Sequence, residues 1–101
     1  MLTYAKARKL AETWVELTTD GACEISSVED KPYGWIFYYK AKNNTPIGGN
    51  APLIVDRVVY EIRVTGTAYP IEKYIEEYEA SLPKAWLMMT PERHDGSKKY
   101  T

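Results

Sequence analysis

One cysteine, one histidine and one phenylalanine in 101 residues close off several kinds of protein at once. Cys23 alone forms no intramolecular disulfide, so the chain is not a disulfide-stapled scaffold. Cys23 and His94 together fall short of the four ligands of a structural zinc site. No carboxylate spacing matches a calcium loop, and no cofactor is expected. Gly48-Gly49-Asn50 lacks the Lys-Ser/Thr that completes a phosphate-cradling loop, and there is no Gly-x-Ser-x-Gly elbow.

Long apolar runs are missing too. Nothing approaches the ~20 residues needed to cross a bilayer. The opening Met1 to Lys9 carries basic residues with no apolar run behind them, so it does not read as a signal peptide. The expected location is the cytoplasm, with no membrane partner. An excess of positive charge is also absent. Thirteen Lys and Arg against fourteen Asp and Glu give a net charge of -1, whereas a domain built to neutralise phosphates carries a surplus of cations. Lys6, Arg8 and Lys9 form a small basic cluster, but an acidic segment downstream cancels its field. No nucleic-acid partner is expected.

Catalysis needs a nucleophile or base held by neighbours. His94 lies in Thr90-Pro91-Glu92-Arg93-His94-Asp95-Gly96, which reads as a mobile tail. Cys23 alternates with Ile25 between Glu24 and Ser26, the pattern of a small buried hydrophobe on a strand. The sequence therefore predicts no catalytic residue, and the chain does not read as an enzyme.

What is present is an aromatic surplus of nine Tyr and three Trp. Both side chains join a large apolar area to a polar tip, which suits interfaces and half-exposed sheet faces. A tyrosine-rich sheet surface without a partner is the plainer alternative.

Thr3 reads as an N-cap, and Ala7, Leu10, Ala11, Trp14 and Leu17 mark one face of a helix ending near Thr18-Thr19-Asp20-Gly21. A strand around Cys23 to Ser26, a turn at Asp30-Lys31-Pro32 and a strand from Tyr33 to Lys40 follow. On the latter, Trp35, Phe37 and Tyr39 share one face while Ile36 and Tyr38 share the other. That predicts a central strand covered on both sides, or one with a face offered to a partner. Lys42 to Gly49 reads as a loop, and Leu53 to Asp56 and Glu61 to Thr65 as two more strands. Pro70 opens a second helix, with Ile71, Tyr74, Ile75, Tyr78 and Leu82 as its stripe and Glu72, Glu76, Glu77 and Glu79 off it. Residues 71–82 carry a local charge of -3.

The expectation is a single α+β domain over residues 1–83, in the order helix, four-stranded mostly antiparallel sheet, helix, with both helices packed on one side of the sheet. Trp14, Trp35, Phe37, Val55, Ile62, Val64 and Tyr74 are its predicted core. Residues 84–101 form a C-terminal tail, partly packed or flexible.

Several stretches in order, namely the Tyr33-Gly34-Trp35 opening of an aromatic strand, Gly49-Asn50-Ala51-Pro52-Leu53-Ile54-Val55-Asp56, Gly66-Thr67-Ala68 with Pro70, and Glu72 to Glu79, resemble the immunity protein 35 family of bacterial polymorphic-toxin systems. The resemblance spans about Tyr4 to Glu79. It departs at the Lys40–Gly49 loop, which is shorter, and at Arg57-Val58-Val59-Tyr60, where the family has a Gly-containing turn. It implies an immunity protein that silences a cognate protein toxin by binding, without catalytic residues. A small stand-alone peptide-binding or chaperone-like domain is the alternative, and association of two copies stays open. Two surfaces are candidates for the partner: the acidic helix face (Glu72, Glu76, Glu77, Glu79), and the Ile36/Tyr38 strand face with Trp86 and Met88.

Overall fold

The structure is a computed structural model, and it describes residues 1–43 and 51–95. Thr3 caps the first helix, α1 (Tyr4–Thr18), its hydroxyl accepting the Lys6 N–H, which satisfies one of the orphan donors at a helix start. A residue from far along the chain satisfies another: the Glu92 carboxylate accepts the Tyr4 N–H at 2.8 Å. At the other end Thr18 and Thr19 turn their hydroxyls back onto the Trp14 and Val15 carbonyls. Asp20 and Gly21 then take positive φ values of 55° and 77°, and the chain reverses.

Four strands follow: β1 (Cys23–Lys31), β2 (Gly34–Ala41), β3 (Leu53–Asp56) and β4 (Glu61–Val64). They form one antiparallel sheet in the order β1-β2-β3-β4. β1 is longer than the sequence pattern suggests because a bulge between Ile25 and Ser27 resets the alternation midway and hides its continuation. Lys31 pairs with Gly34, so the tight turn is Pro32-Tyr33, which overlaps the expected Asp30-Lys31-Pro32 only at Pro32. Gly34 is obligatory here: a Cβ at that position would collide with the Val55 carbonyl oxygen across the sheet. α2 (Ile71–Ala80) and a short α3 (Lys84–Leu87) complete the domain. No helix among the described residues is long and apolar enough to cross a membrane.

The class and element order are those expected, but the layering is not. The helices lie on opposite faces of the sheet, not on one side. Ala7, Ala11 and Val15 of α1 join Trp35, Phe37, Tyr39, Leu53 and Val55 in one core. Tyr78 joins Tyr33, Ile36 and Ile54 in a second, with Ile75, Leu82 and Leu87 packed against it. Alternation forces this result. β2 and β3 carry large apolar side chains on both parities, and a single layer of helices would leave Ile36 and Ile54 in water. Burying a side chain of that size stabilises by about 1.5–3 kcal/mol, so the second layer is strongly favoured.

Two further expectations change. The face α1 buries is Ala7/Ala11/Val15, leaving Leu10 (45%) and Leu17 (76%) exposed, because the small alanines let the helix approach the sheet closely. Val64, expected in the core, is 49% exposed. It stands at the end of the edge strand β4, and α1 lies over β1, β2 and β3. Trp35, Phe37 and Val55 are fully buried, while Trp14, Ile62 and Tyr74 are half-buried.

Candidate functional site

α2 is held by a polar anchor as well as by its apolar stripe. Tyr78 reaches down to donate a 2.6 Å hydrogen bond to Asp56 Oδ2, while Asp56 Oδ1 accepts the Val58 and Val59 N–H groups. Asp56 is fully buried. Its carboxylate therefore organises the β3–β4 loop on one oxygen and seats α2 with the other. That loop reads Arg57-Val58-Val59-Tyr60 with Tyr60 at φ 58°, so a tyrosine occupies the left-handed position a glycine would fill at less cost.

This seating decides which α2 residues meet solvent. Glu72, Glu76 and Glu77 are exposed. Glu79 is half-buried; it accepts the Tyr33 hydroxyl at 2.9 Å and pairs with Lys31 at 3.5 Å, so its charge is committed to the scaffold. Glu77 turns to the other flank, where it borders a groove of about 190 Å³ with Arg63 and Tyr74. Lys73 stands 3.9 Å from Glu77.

Beside α2, Tyr38 is half-buried and donates to Glu29 Oε1 at 3.3 Å. Burial pushes the Tyr38 hydroxyl up from its ordinary value, and the carboxylates of Glu29 and Glu72 push it further. Tyr38 thus sits between an acidic residue of β1 and one of α2, with Glu76 a turn along the helix. An amphipathic phenol rimmed by carboxylates suits a basic partner surface.

The sequence-derived candidates divide accordingly. Glu72 is near enough for its charge to bear on the Tyr38 hydroxyl, and Glu76 follows one turn along the helix. Ile36 does not belong: it is fully buried beneath α2, so it is core and unavailable to a partner. Trp86 is half-buried in α3, and Met88, its C-cap, is 83% exposed, at the end of a separate element. Glu29 escaped sequence reasoning because the bulge obscured its strand; its register opposite Ile36 puts it on the α2 face.

His94 is not loosely held. Its N–H and its Nδ1 both meet Asp30 Oδ1, at 3.0 and 2.9 Å, and its ring lies against Tyr4. The preceding residues are fixed as well, since Arg57 donates to the Thr90 carbonyl and Trp35 Nε1 to that of Glu92. Cys23 is buried at the far end of β1 from Asp30. At about 3.3 Å per residue the two ends are roughly 20 Å apart, which rules out a Cys–His pair. Among the described residues no cluster of three or more His, Cys, Asp or Glu is placed to hold a metal.

The elements and this surface define a small α+β domain with an acidic helix on one face. No family model matches the chain, and no solved structure matches it. Among curated proteins it is similar to "Uncharacterized protein YrhB" of Escherichia coli (strain K12), 40% identical over 53 residues that cover 46% of this chain and 56% of YrhB. The chain thus spans little more than half the length of that relative.

Proposed function

We propose that the chain is a bacterial cytoplasmic immunity protein of a polymorphic toxin system, neutralising a cognate protein toxin by direct, non-catalytic binding. The observation that carries the reading is the acidic ridge in which Glu29 of β1 and Tyr38 of β2 lie beside Glu72 and Glu76 of α2, a helix that Tyr78 and Asp56 lock to the sheet. A rigid surface loses little freedom on binding, and exposed carboxylates accelerate encounter with a basic cleft. A toxin that acts on nucleic acid would carry such a cleft. Occlusion requires no chemistry from the inhibitor, which agrees with a histidine tied to Asp30 and a cysteine sealed in the core.

Two residues that carry the resemblance to the immunity family take scaffold roles in this chain. Gly34 allows the close approach of β3, and Asp56 seats α2. The alternative, a peptide-binding or chaperone-like domain, drew on an open Ile36/Tyr38 face, and Ile36 lies beneath α2. Co-expression with a toxin domain encoded beside this gene tests the proposal. Cells survive, and the two proteins co-purify in fixed stoichiometry, if it is right. Failure to protect, combined with slowed aggregation of unrelated proteins, would transfer the case to the chaperone-like reading.

A further inference from the structure

The two edges of the sheet are protected unequally. β1 carries a bulge, a feature that discourages strand addition by twisting the edge away. β4 has an uninterrupted register with β3 and, among the described residues, no strand on its other side. Thr65 donates its N–H to the Pro52 carbonyl, so by alternation Arg63 and Glu61 also aim their backbone groups at β3. Ile62 and Val64 therefore aim theirs outward.

The side chains sort in the same way. Arg63 lies over the Tyr78 ring and pairs with Glu61 at 3.1 Å, which puts both on the α2 face. Ile62 packs toward the α1 core, so Val64, two residues on, shares the α1 face with it. On α1, Arg8, Glu12 and Glu16 border β1, so Leu10 and Leu17 lie on the helix flank turned away from β1. Val64, Leu10 and Leu17 are 49, 45 and 76% exposed. Among the described residues, the open strand edge thus carries an uncovered apolar side chain, Val64, on its α1 face.

We infer that β4 pairs antiparallel with β4 of a second copy of this chain, about a two-fold axis at Ile62, giving a continuous eight-stranded sheet. That register makes Ile62 exchange both backbone hydrogen bonds with its symmetry mate. It sets Glu61 opposite Arg63 of the other copy, twice, in the closely spaced pairs of the ladder, where cross-strand side chains interact most. Val64 falls opposite Tyr60, itself 61% exposed. Because the axis is perpendicular to the sheet, both α1 helices lie on one side of the joined sheet. Residues 61 and 63 of like sign would repel in this register; a Glu and an Arg attract. The paired strands are only four residues long, so the dimer is small and dissociates readily.

Sedimentation velocity over about 1 µM to about 1 mM should show the mass rising from 11.6 kDa toward twice that value. Glu61→Arg and Arg63→Glu should each abolish the rise, by placing like charges opposite one another, and an equimolar mixture of the two should recover a heterodimer. Should either variant fail to melt cooperatively, Ile62→Cys substitutes for the charge test. Its thiols, on the two-fold axis at the spacing of a hydrogen-bonded pair, should oxidise to a covalent dimer, whereas buried Cys23 should not. A wild-type chain that stays monomeric throughout, charge variants that associate like the wild type, a mixture that stays monomeric, or an Ile62→Cys variant that does not crosslink overturns the inference.

Discussion

Tyr78 and Asp56 come from different layers of the molecule, 22 residues apart in sequence, and meet in a 2.6 Å hydrogen bond shielded from solvent. Each end of the bond has a second duty. The Asp56 carboxylate also closes the β3–β4 loop, and the Tyr78 ring packs against Tyr33 at 5.5 Å. Removing the phenol oxygen in Tyr78→Phe leaves a buried carboxylate oxygen without this donor, which costs about 1.5–3 kcal/mol. Asp56→Ala should cost more, since it strips the loop of two acceptor bonds as well. Urea unfolding of the two single variants and the double should give a coupling of about 0.5–3 kcal/mol. Strict additivity would mean that the two residues act independently.

Alkaline pH tests the same contact. The Tyr78 and Tyr33 hydroxyls are both pushed up from 10.0, first by burial and then by the carboxylates of Asp56 and Glu79 to which they donate. Below pH about 10 both phenols are neutral whether folded or unfolded, so their contribution is fully present. Above that pH the unfolded chain releases protons that the folded chain retains, and stability falls by about 1.4 kcal/mol per pH unit for each tyrosine. A Tyr33→Phe/Tyr78→Phe double variant should show a shallower loss of urea midpoint above pH about 10 than the wild type. Identical slopes would dismiss the two phenols as the cause.

The sequence made the elements legible and hid the layering. Alternation on β2 already declared two buried faces through Trp35, Phe37 and Tyr39 on one parity and Ile36 on the other. What it could not declare is which helix covers which face, because a stripe such as Ile71, Tyr74, Ile75, Tyr78 names a buried side and no partner. α1 misled for a related reason. Leu10 and Leu17 are large apolar residues on its predicted stripe, yet the small Ala7 and Ala11 let the backbone settle on the sheet. At the candidate site, Glu72 and Glu76 could be read off the helix period, whereas Glu29 lay beyond a bulge that local periodicity does not cross.

The Glu92 contact predicts a modest, local effect. Its carboxylate accepts the first N–H of α1 from 88 residues away and adds negative charge at a helix N-terminus, where the macrodipole favours it. Glu92→Ala should cost about 1 kcal/mol, which corresponds to a drop in Tm of about 4–8 °C for a domain of this size. Glu92→Gln keeps an acceptor oxygen and should lose less. Trp35 bonds to the Glu92 backbone carbonyl, so neither variant frees the indole. A drop as large as that of Trp35→Ala, about 3–5 kcal/mol, would show instead that the side chain anchors the whole segment.

The acidic ridge makes a kinetic prediction that separates steering from contact. Glu72 and Glu76 are exposed and, among the described residues, form no ion pair, whereas Glu79 is bound to Tyr33 and Lys31. Reversing the first two to lysine should leave the melting temperature nearly unchanged and slow association with the cognate toxin by about tenfold or more at low salt. That difference should shrink as added salt shortens the reach of the charges. Tyr38→Ala should do the opposite, leaving association close to wild type and speeding dissociation, because a half-buried phenol acts after contact is made. Surface plasmon resonance at two salt concentrations resolves both. Association rates indifferent to the two reversals would place the toxin on another face of the molecule, whatever the fate of Tyr38.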